Sequence, residues 1–222
     1  MSTPVYVVLG AGPGLGLATA RRFAATGHAI VLVGRTAEQM EPLAATLRES
    51  GASAEGVGAT LTDPAAVTAL IEGVVERHGR IDVLHFNPSV FREADVLHLT
   101  VDELFEDLAL GVAPLLPAVQ AAVDAMRPGS RVLVTGSMAA DKPSPAAPSL
   151  GIQKAAVRNL VTSLDATLRV RGIRAVAVQI NGSLAKEGPF APPAVSAALH
   201  AATQRPDSEW TAHVAYDGQE RG

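Results

Sequence analysis

This chain of 222 residues contains no cysteine, which excludes disulfides, thiolate metal sites and cysteine nucleophiles. Aromatic residues are scarce, at 4% of the sequence, and its phenols are Tyr6 and Tyr216 alone. Chemistry that needs a tyrosine therefore has two places to find one. Positive charge is not in excess: 18 Lys and Arg stand against 22 Asp and Glu, for a net charge of −4. The basic footprint of a nucleic-acid-binding surface is missing. No charged-then-apolar leader opens the sequence, and no apolar run reads as long enough to span a bilayer. The expectation is a soluble, cytoplasmic protein without nucleic-acid or membrane partners.

What is present is an apolar chain, 48% hydrophobic and rich in alanine and glycine, enough for one good-sized core and a single domain over residues 1–222. Strand-like and helix-like segments alternate. Val5 to Leu9 and Ala29 to Val33 are continuous apolar runs, and Ile81 to Phe86, Arg131 to Thr135 and Ile173 to Ile180 are further mainly apolar strands, with a weaker strand over Ser53 to Thr60. Helices fall between them. Thr36 with Gln39 and Thr100 with Glu103 have capping-box spacing, and Asp63-Pro64 is a helix start. The second of these boxes opens a long helix expected to run to about Met126, bent by Pro114 and Pro117. A helix over Ser149 to Arg171 carries Val157, Leu160, Val161, Leu164 and Leu168 at helical spacing. A short helix near Ala194 to Thr203 and an edge strand near His213 to Tyr216 close the chain. Fully apolar strands alternating with helices predict an α/β, doubly wound Rossmann-type domain, with a parallel sheet of about seven strands covered on both faces.

Between the first strand and the first helix lies Gly10-Ala11-Gly12-Pro13-Gly14-Leu15-Gly16. A glycine-rich loop in that place lets backbone N–H groups and a helix N-terminus approach a phosphate. The second strand ends in Gly34-Arg35, with no acidic residue to hydrogen-bond ribose hydroxyls. Arg35 is instead suited to the 2′-phosphate of NADP. Tyr6 and His85 lie within apolar strands and read as core residues.

The G-x-x-x-G-x-G spacing of Gly10, Gly14 and Gly16 resembles that of the short-chain dehydrogenase/reductase family, and the resemblance extends from residue 5 to about 218. It implies an oxidoreductase that binds NADP, with NAD the less favoured cofactor, and acts on a small molecule. Cofactor contacts then fall to Gly10, Gly14, Leu15, Gly16, Arg35, Leu61 against the adenine, Asn87 and Lys154. Thr60 stands where relatives usually carry an aspartate, and Phe86-Asn87-Pro88-Ser89 is similar to the family's Asn-Asn-Ala-Gly segment. Ser137 matches the serine that hydrogen-bonds the substrate, and Lys154 matches the lysine of the Tyr-x-x-x-Lys pair; these two are the candidate catalytic residues. The resemblance fails at three points: Leu150 stands in the tyrosine position, Leu108 in that of a helical asparagine, and Ile180-Asn181 in place of Pro-Gly. Ser149, Asp141 and Lys142 are weak substitutes for the missing proton donor.

Two functions follow. One is an NADP-dependent oxidoreductase with an atypical active site, taking a small carbonyl, imine or activated alkene. The other is a dinucleotide-binding protein of the same fold without redox turnover. The resemblance also implies a homodimer or homotetramer formed through the two long helices. The loop over Asn181 to Pro193, rich in Gly and Pro, is expected to give a short and open lid.

Overall fold

Five consecutive apolar residues without alternation make β1 (Val5–Leu9) a strand buried on both faces. Successive side chains of a strand point to opposite sides, and they divide the interior in two. Val5, Val7 and Leu9 join one apolar cluster, whereas Tyr6 and Val8 join the other. The computed structural model describes residues 3–219 of the chain, so the extreme ends of the expected 1–222 domain lie outside the described residues. Its seven strands form one parallel sheet: β2 (Ala29–Gly34), β3 (Ala54–Gly58), β4 (Val83–Phe86), β5 (Arg131–Ser137), β6 (Arg174–Ile180) and β7 (His213–Tyr216) accompany β1 in the order 3-2-1-4-5-6-7. The order reverses between β1 and β4, which opens a crevice at their carboxyl ends.

One face carries α1 (Leu15–Ala25), α2 (Ala37–Glu49) and α7 (Pro192–Thr203), through Phe23, Leu47 and Leu199. The other carries α3 (Pro64–His78), α5 (Leu115–Ala122) and α6 (Pro148–Leu168), through Ile71, Leu115 and Val161. The helix starts follow the local chemistry. Asp63 accepts the Ala65 N–H at 2.9 Å, with Pro64 as the first helical residue. Thr100 and Glu103 form both bonds of a capping box, at 3.0 and 3.2 Å. At Thr36 only the half in which its hydroxyl accepts the Gln39 N–H, at 3.3 Å, is formed among the described residues.

The expected helix from Thr100 to about Met126 is in fact two, α4 (Val101–Gly111) and α5. Proline has no N–H and disfavours a helical backbone in the residue before it, so Pro114 separates the helices where a bend was expected. Gly111 ends α4 in close contact with α6: a Cβ there would fall 2.1 Å from Gln153 Oε1. The stretch Val101–Ala122 is also, by length and composition, apolar enough to cross a bilayer, which corrects the reading that no such run exists. That apolarity is shared between the core, at Leu115, Ala118, Val119 and Ala122, and an exposed face at Val101, Phe105 and Leu116.

Candidate functional site

A groove of about 1080 Å³ follows the carboxyl ends of β1 to β4. Of the expected cofactor residues it brings together Gly10, Arg35, Leu61 and Asn87, with Thr60 and Phe91 along its wall. Gly14, Leu15 and Gly16 are not part of that lining and form the start of α1. Two glycines of the loop are required by close packing. Gly10 has φ +73° and a Cβ there would lie 3.0 Å from Pro88, while a Cβ on Gly16 would lie 3.1 Å from Ala11 Cα. Gly12 and Gly14 differ, because nothing lies within 4 Å of where their Cβ atoms would be. Leu17 N–H turns back to Gly12 O at 2.9 Å, and among the described residues the N–H groups of Gly14, Leu15 and Gly16 have no backbone partner. Open space in front of unpaired helix-end donors fits a phosphate. Arg35, exposed at the groove edge, has no ion pair among the described residues, so the cation is available to a further phosphate.

Beneath the loop runs a line of buried polar groups. Asn87 Nδ2 donates to Gly10 O at 2.9 Å, and Thr135 Oγ1 donates to Asn87 Oδ1 at 2.8 Å. His85 Nε2 lies 2.8 Å from Thr135 Oγ1, and Tyr6 OH lies 2.6 Å from His85 Nδ1. Burial, with help from the nearby Lys154 charge, pushes the His85 imidazolium down to a pKa of about 3, so the ring is neutral. Tyr6 stacks on Phe23 with centroids 4.2 Å apart, and burial raises its hydroxyl well above the ordinary phenol range. Both residues are core residues, as their strand positions predict, and Tyr6 is no substitute proton donor. Tyr216 is buried as well, and its hydroxyl donates to Pro189 O.

Lys154 lies on the other side of Thr135. Its Nζ is buried and donates to Thr135 O at 3.1 Å and to Pro88 O at 3.4 Å. Among the described residues no carboxylate pairs with it to offset that burial, and the ammonium is pushed down to a pKa of about 8. Pro88 lines the groove, so its carbonyl joins Lys154 to it. Ser137 shares a small recess with Lys154 between β5, β6 and α6. Its Oγ accepts Ala139 N–H at 3.2 Å, leaving the hydroxyl hydrogen free to be donated. Leu150, half-buried, precedes Lys154 by one helical turn on the same face.

Neighbouring polar groups are committed elsewhere. Ser149 is fully buried, and its hydroxyl lies by the Asp107 carboxyl without closing a well-formed hydrogen bond among the described residues. Asp107, beside Leu108, is buried against Arg92, bonded at 2.9 Å. Its burial favours the neutral acid, but Arg92 and the nearby Ser149 hydroxyl hold the carboxyl below the usual range. Asp141 binds Arg158 and accepts from Gln179 Nε2 at 3.0 Å. In the expected lid, the Phe190 ring folds over Gly182 and Ala185 N–H returns to Phe190 O at 3.1 Å.

Two residues of this region escaped the sequence reading. Thr135 joins His85 to Asn87, and its signal was a hydroxyl directly after the apolar run Val132–Val134. Gln153 holds the loop after β4: its Oε1 accepts Val90 N–H at 3.0 Å and its Nε2 donates to Val90 O at 3.1 Å. A partner 63 residues away has no local signature.

The short chain dehydrogenase family profile matches residues 4–184, and the chain belongs to that family. It is 41% identical over 108 residues to the short-chain reductase protein NovJ of Streptomyces niveus, covering 49% of this chain and 40% of that one. The chain thus spans less than half the length of that relative. It is 34% identical over 178 residues to the oxidoreductase UcpA of Escherichia coli K12, covering 78% and 66% of the two chains. Among solved structures, a short chain dehydrogenase of Burkholderia cenocepacia in complex with NADP superposes with a TM-score of 0.84 at 27% identity, over 96% of each chain. The chain is similar to oxidoreductases, and its fold is that of a seven-stranded Rossmann-like domain.

Proposed function

We propose that this protein is an NADP(H)-dependent oxidoreductase whose proton-transfer site lacks the tyrosine of its family, with Leu150 in that position, and whose substrate is a small carbonyl, imine or activated alkene. The observation that carries the cofactor reading is the open space at Gly12 and Gly14 before N–H groups without a backbone partner among the described residues, beside a groove lined by Gly12 and by Arg35, which has no ion pair among the described residues. The N–H groups of Gly14, Leu15 and Gly16 would hold the pyrophosphate, and Arg35 the 2′-phosphate. Leu61 would pack on the adenine, with Asn87 and Lys154 on the nicotinamide side. When bound, NADPH supplies hydride. The Ser137 hydroxyl would hydrogen-bond the substrate oxygen, and the proton that completes the reduction would come from water held by Ser137 or by the buried Lys154 ammonium in the same recess. Without a phenol, such a site favours substrates that need little acid assistance.

The named relatives support this reading: a short-chain reductase, an oxidoreductase and a dehydrogenase in complex with NADP. A second reading, dinucleotide binding without turnover, draws on Leu150, Leu108 and Ile180-Asn181, which replace the groups the family resemblance leads one to expect. The exposed apolar residues of α4, α5 and α6 favour a homodimer or homotetramer, and we propose that a second copy covers them.

Titration calorimetry with NADPH and NADH tests the cofactor assignment. NADPH binds more tightly, and Arg35→Ala weakens it by about 10-fold or more while leaving NADH nearly unchanged. Preference for NADH overturns the role of Arg35, and binding of neither overturns the cofactor reading. Turnover of bound NADPH over a panel of carbonyl compounds then separates the two functions.

A further inference from the structure

The buried line from Gly10 to Tyr6 has a direction that its chemistry fixes from one end. A carbonyl only accepts, so Gly10 O requires the Nδ2–H of Asn87. The Asn87 amide therefore turns its Oδ1 to Thr135, whose one hydroxyl hydrogen it takes. Thr135 Oγ1 must then accept from His85, which places the imidazole hydrogen on Nε2. The bare Nδ1 accepts in turn from the Tyr6 hydroxyl. Reversing any one bond sets two acceptors or two donors face to face somewhere along a line whose inner members, Tyr6, His85 and Thr135, are buried. The line stops at Tyr6, which is fully buried and stacked on Phe23, so it leads no proton to solvent.

We propose that Tyr6 and His85 are a positioning pair. By holding the imidazole as the Nε2–H tautomer, they orient the Thr135 hydroxyl and so lock the Asn87 amide onto the carbonyl of Gly10 at the mouth of the groove. Tyr6 and His85 stand 79 residues apart on the neighbouring strands β1 and β4, yet each fills a buried position where an apolar side chain would meet the packing demand alone. Their polar atoms are explained by what the line holds at its far end. Asn87 and Gly10 both line the groove, so the pair acts on ligand binding without touching a ligand. This inference rests on the dinucleotide reading only for the identity of that ligand.

Nitrogen NMR of the histidine side chains, in uniformly labelled protein without ligand, reads the tautomer directly. His85 is expected as the neutral Nε2–H form throughout the range in which the protein stays folded. A Nδ1–H or charged His85 in the wild-type protein overturns the proposal, whatever the variants do. Tyr6→Phe keeps the ring on Phe23 and removes the donor to Nδ1. It is expected to mix the tautomers, to shift the Asn87 side-chain amide resonances and to weaken NADPH binding about 3–10-fold. Thr135→Val cuts the same line nearer the groove and remains informative if Tyr6→Phe does not fold. Their combination is expected to weaken NADPH binding no further than the stronger of the two alone. Additive losses, or unchanged Asn87 amide resonances in both variants, assign the residues to packing and overturn the proposal. If the wild-type protein binds no NADPH, the dinucleotide reading fails by itself. The tautomer and the Asn87 resonances then still decide whether the pair orients the loop.

Discussion

The ammonium of Lys154 is held by carbonyl oxygens at 3.1 and 3.4 Å rather than by a carboxylate. Burial accordingly lowers its pKa from 10.5 to about 8. The unfolded chain binds this proton more tightly than the folded one, so between about pH 8 and pH 10.5 folding stability rises with pH from this residue. The full effect is on the order of 3 kcal/mol. Denaturant unfolding across that range is expected to show the rise in the wild-type protein and to lose it in Lys154→Met. Equal slopes in the two proteins would place the ammonium in water. Leu150 invites the opposite experiment, adding a group instead of removing one. It lies one turn before Lys154 on the same helical face. Restoring a phenol supplies general acid assistance worth about 10²–10⁴-fold where the rest of the site is competent. Leu150→Tyr is expected to raise or create carbonyl reductase activity in steady-state NADPH oxidation. A folded variant that binds NADPH without gaining activity would show that the reacting carbonyl sits elsewhere.

The elements were legible where their chemistry is local. The capping box at Thr100 and Glu103, the Asp63-Pro64 start and the glycine loop all stand in the structure where the residue types put them. The division of the helix after Thr100 was only half legible. Two prolines indicated a disturbance, but a bend and a break differ by whether neighbouring elements hold the new ends. Here Gly111 lies against Gln153, which also binds both polar groups of the Val90 backbone. Sequence spacing cannot show a contact between α4, α6 and the loop after β4. The same reason hid Thr135, whose partners come from β4 and the segment just after it. Gly111→Ala tests this junction. Its Cβ would fall 2.1 Å from Gln153 Oε1, so the amide must leave Val90. The expected loss is about 2–4 kcal/mol of unfolding free energy. Hydrogen exchange should also quicken at the Val90 amide, whereas loss of stability without exposure of that amide would mean that α4 moves instead.

On the scale of the whole molecule, the sheet order determines which ends of the chain face one another. The reversal between β1 and β4 gathers Gly10, Arg35, Leu61 and Asn87 at one groove. The helices α4, α5 and α6 on one face of the sheet keep large apolar side chains outside. Val101 and Phe105 sit four residues apart on one stripe of α4, Leu116 follows on α5, and Ile152 lies on α6; all are exposed, Phe105 by 62%. Apolar residues gathered on packed neighbouring helices mark a contact surface more than a solvated one. A self-complementary face meets its own copy about a two-fold axis, which is the commonest route to a closed assembly. Sedimentation at micromolar concentration is therefore expected to give a dimer or tetramer. Phe105→Glu and Ile152→Glu are each expected to lower the mass towards the monomer with the circular dichroism of the domain preserved, because neither side chain contributes to the buried core. A wild-type monomer at that concentration would overturn the assembly. An oligomer indifferent to both changes would move the contact to another face, where the edge strand β7 is the next surface to test.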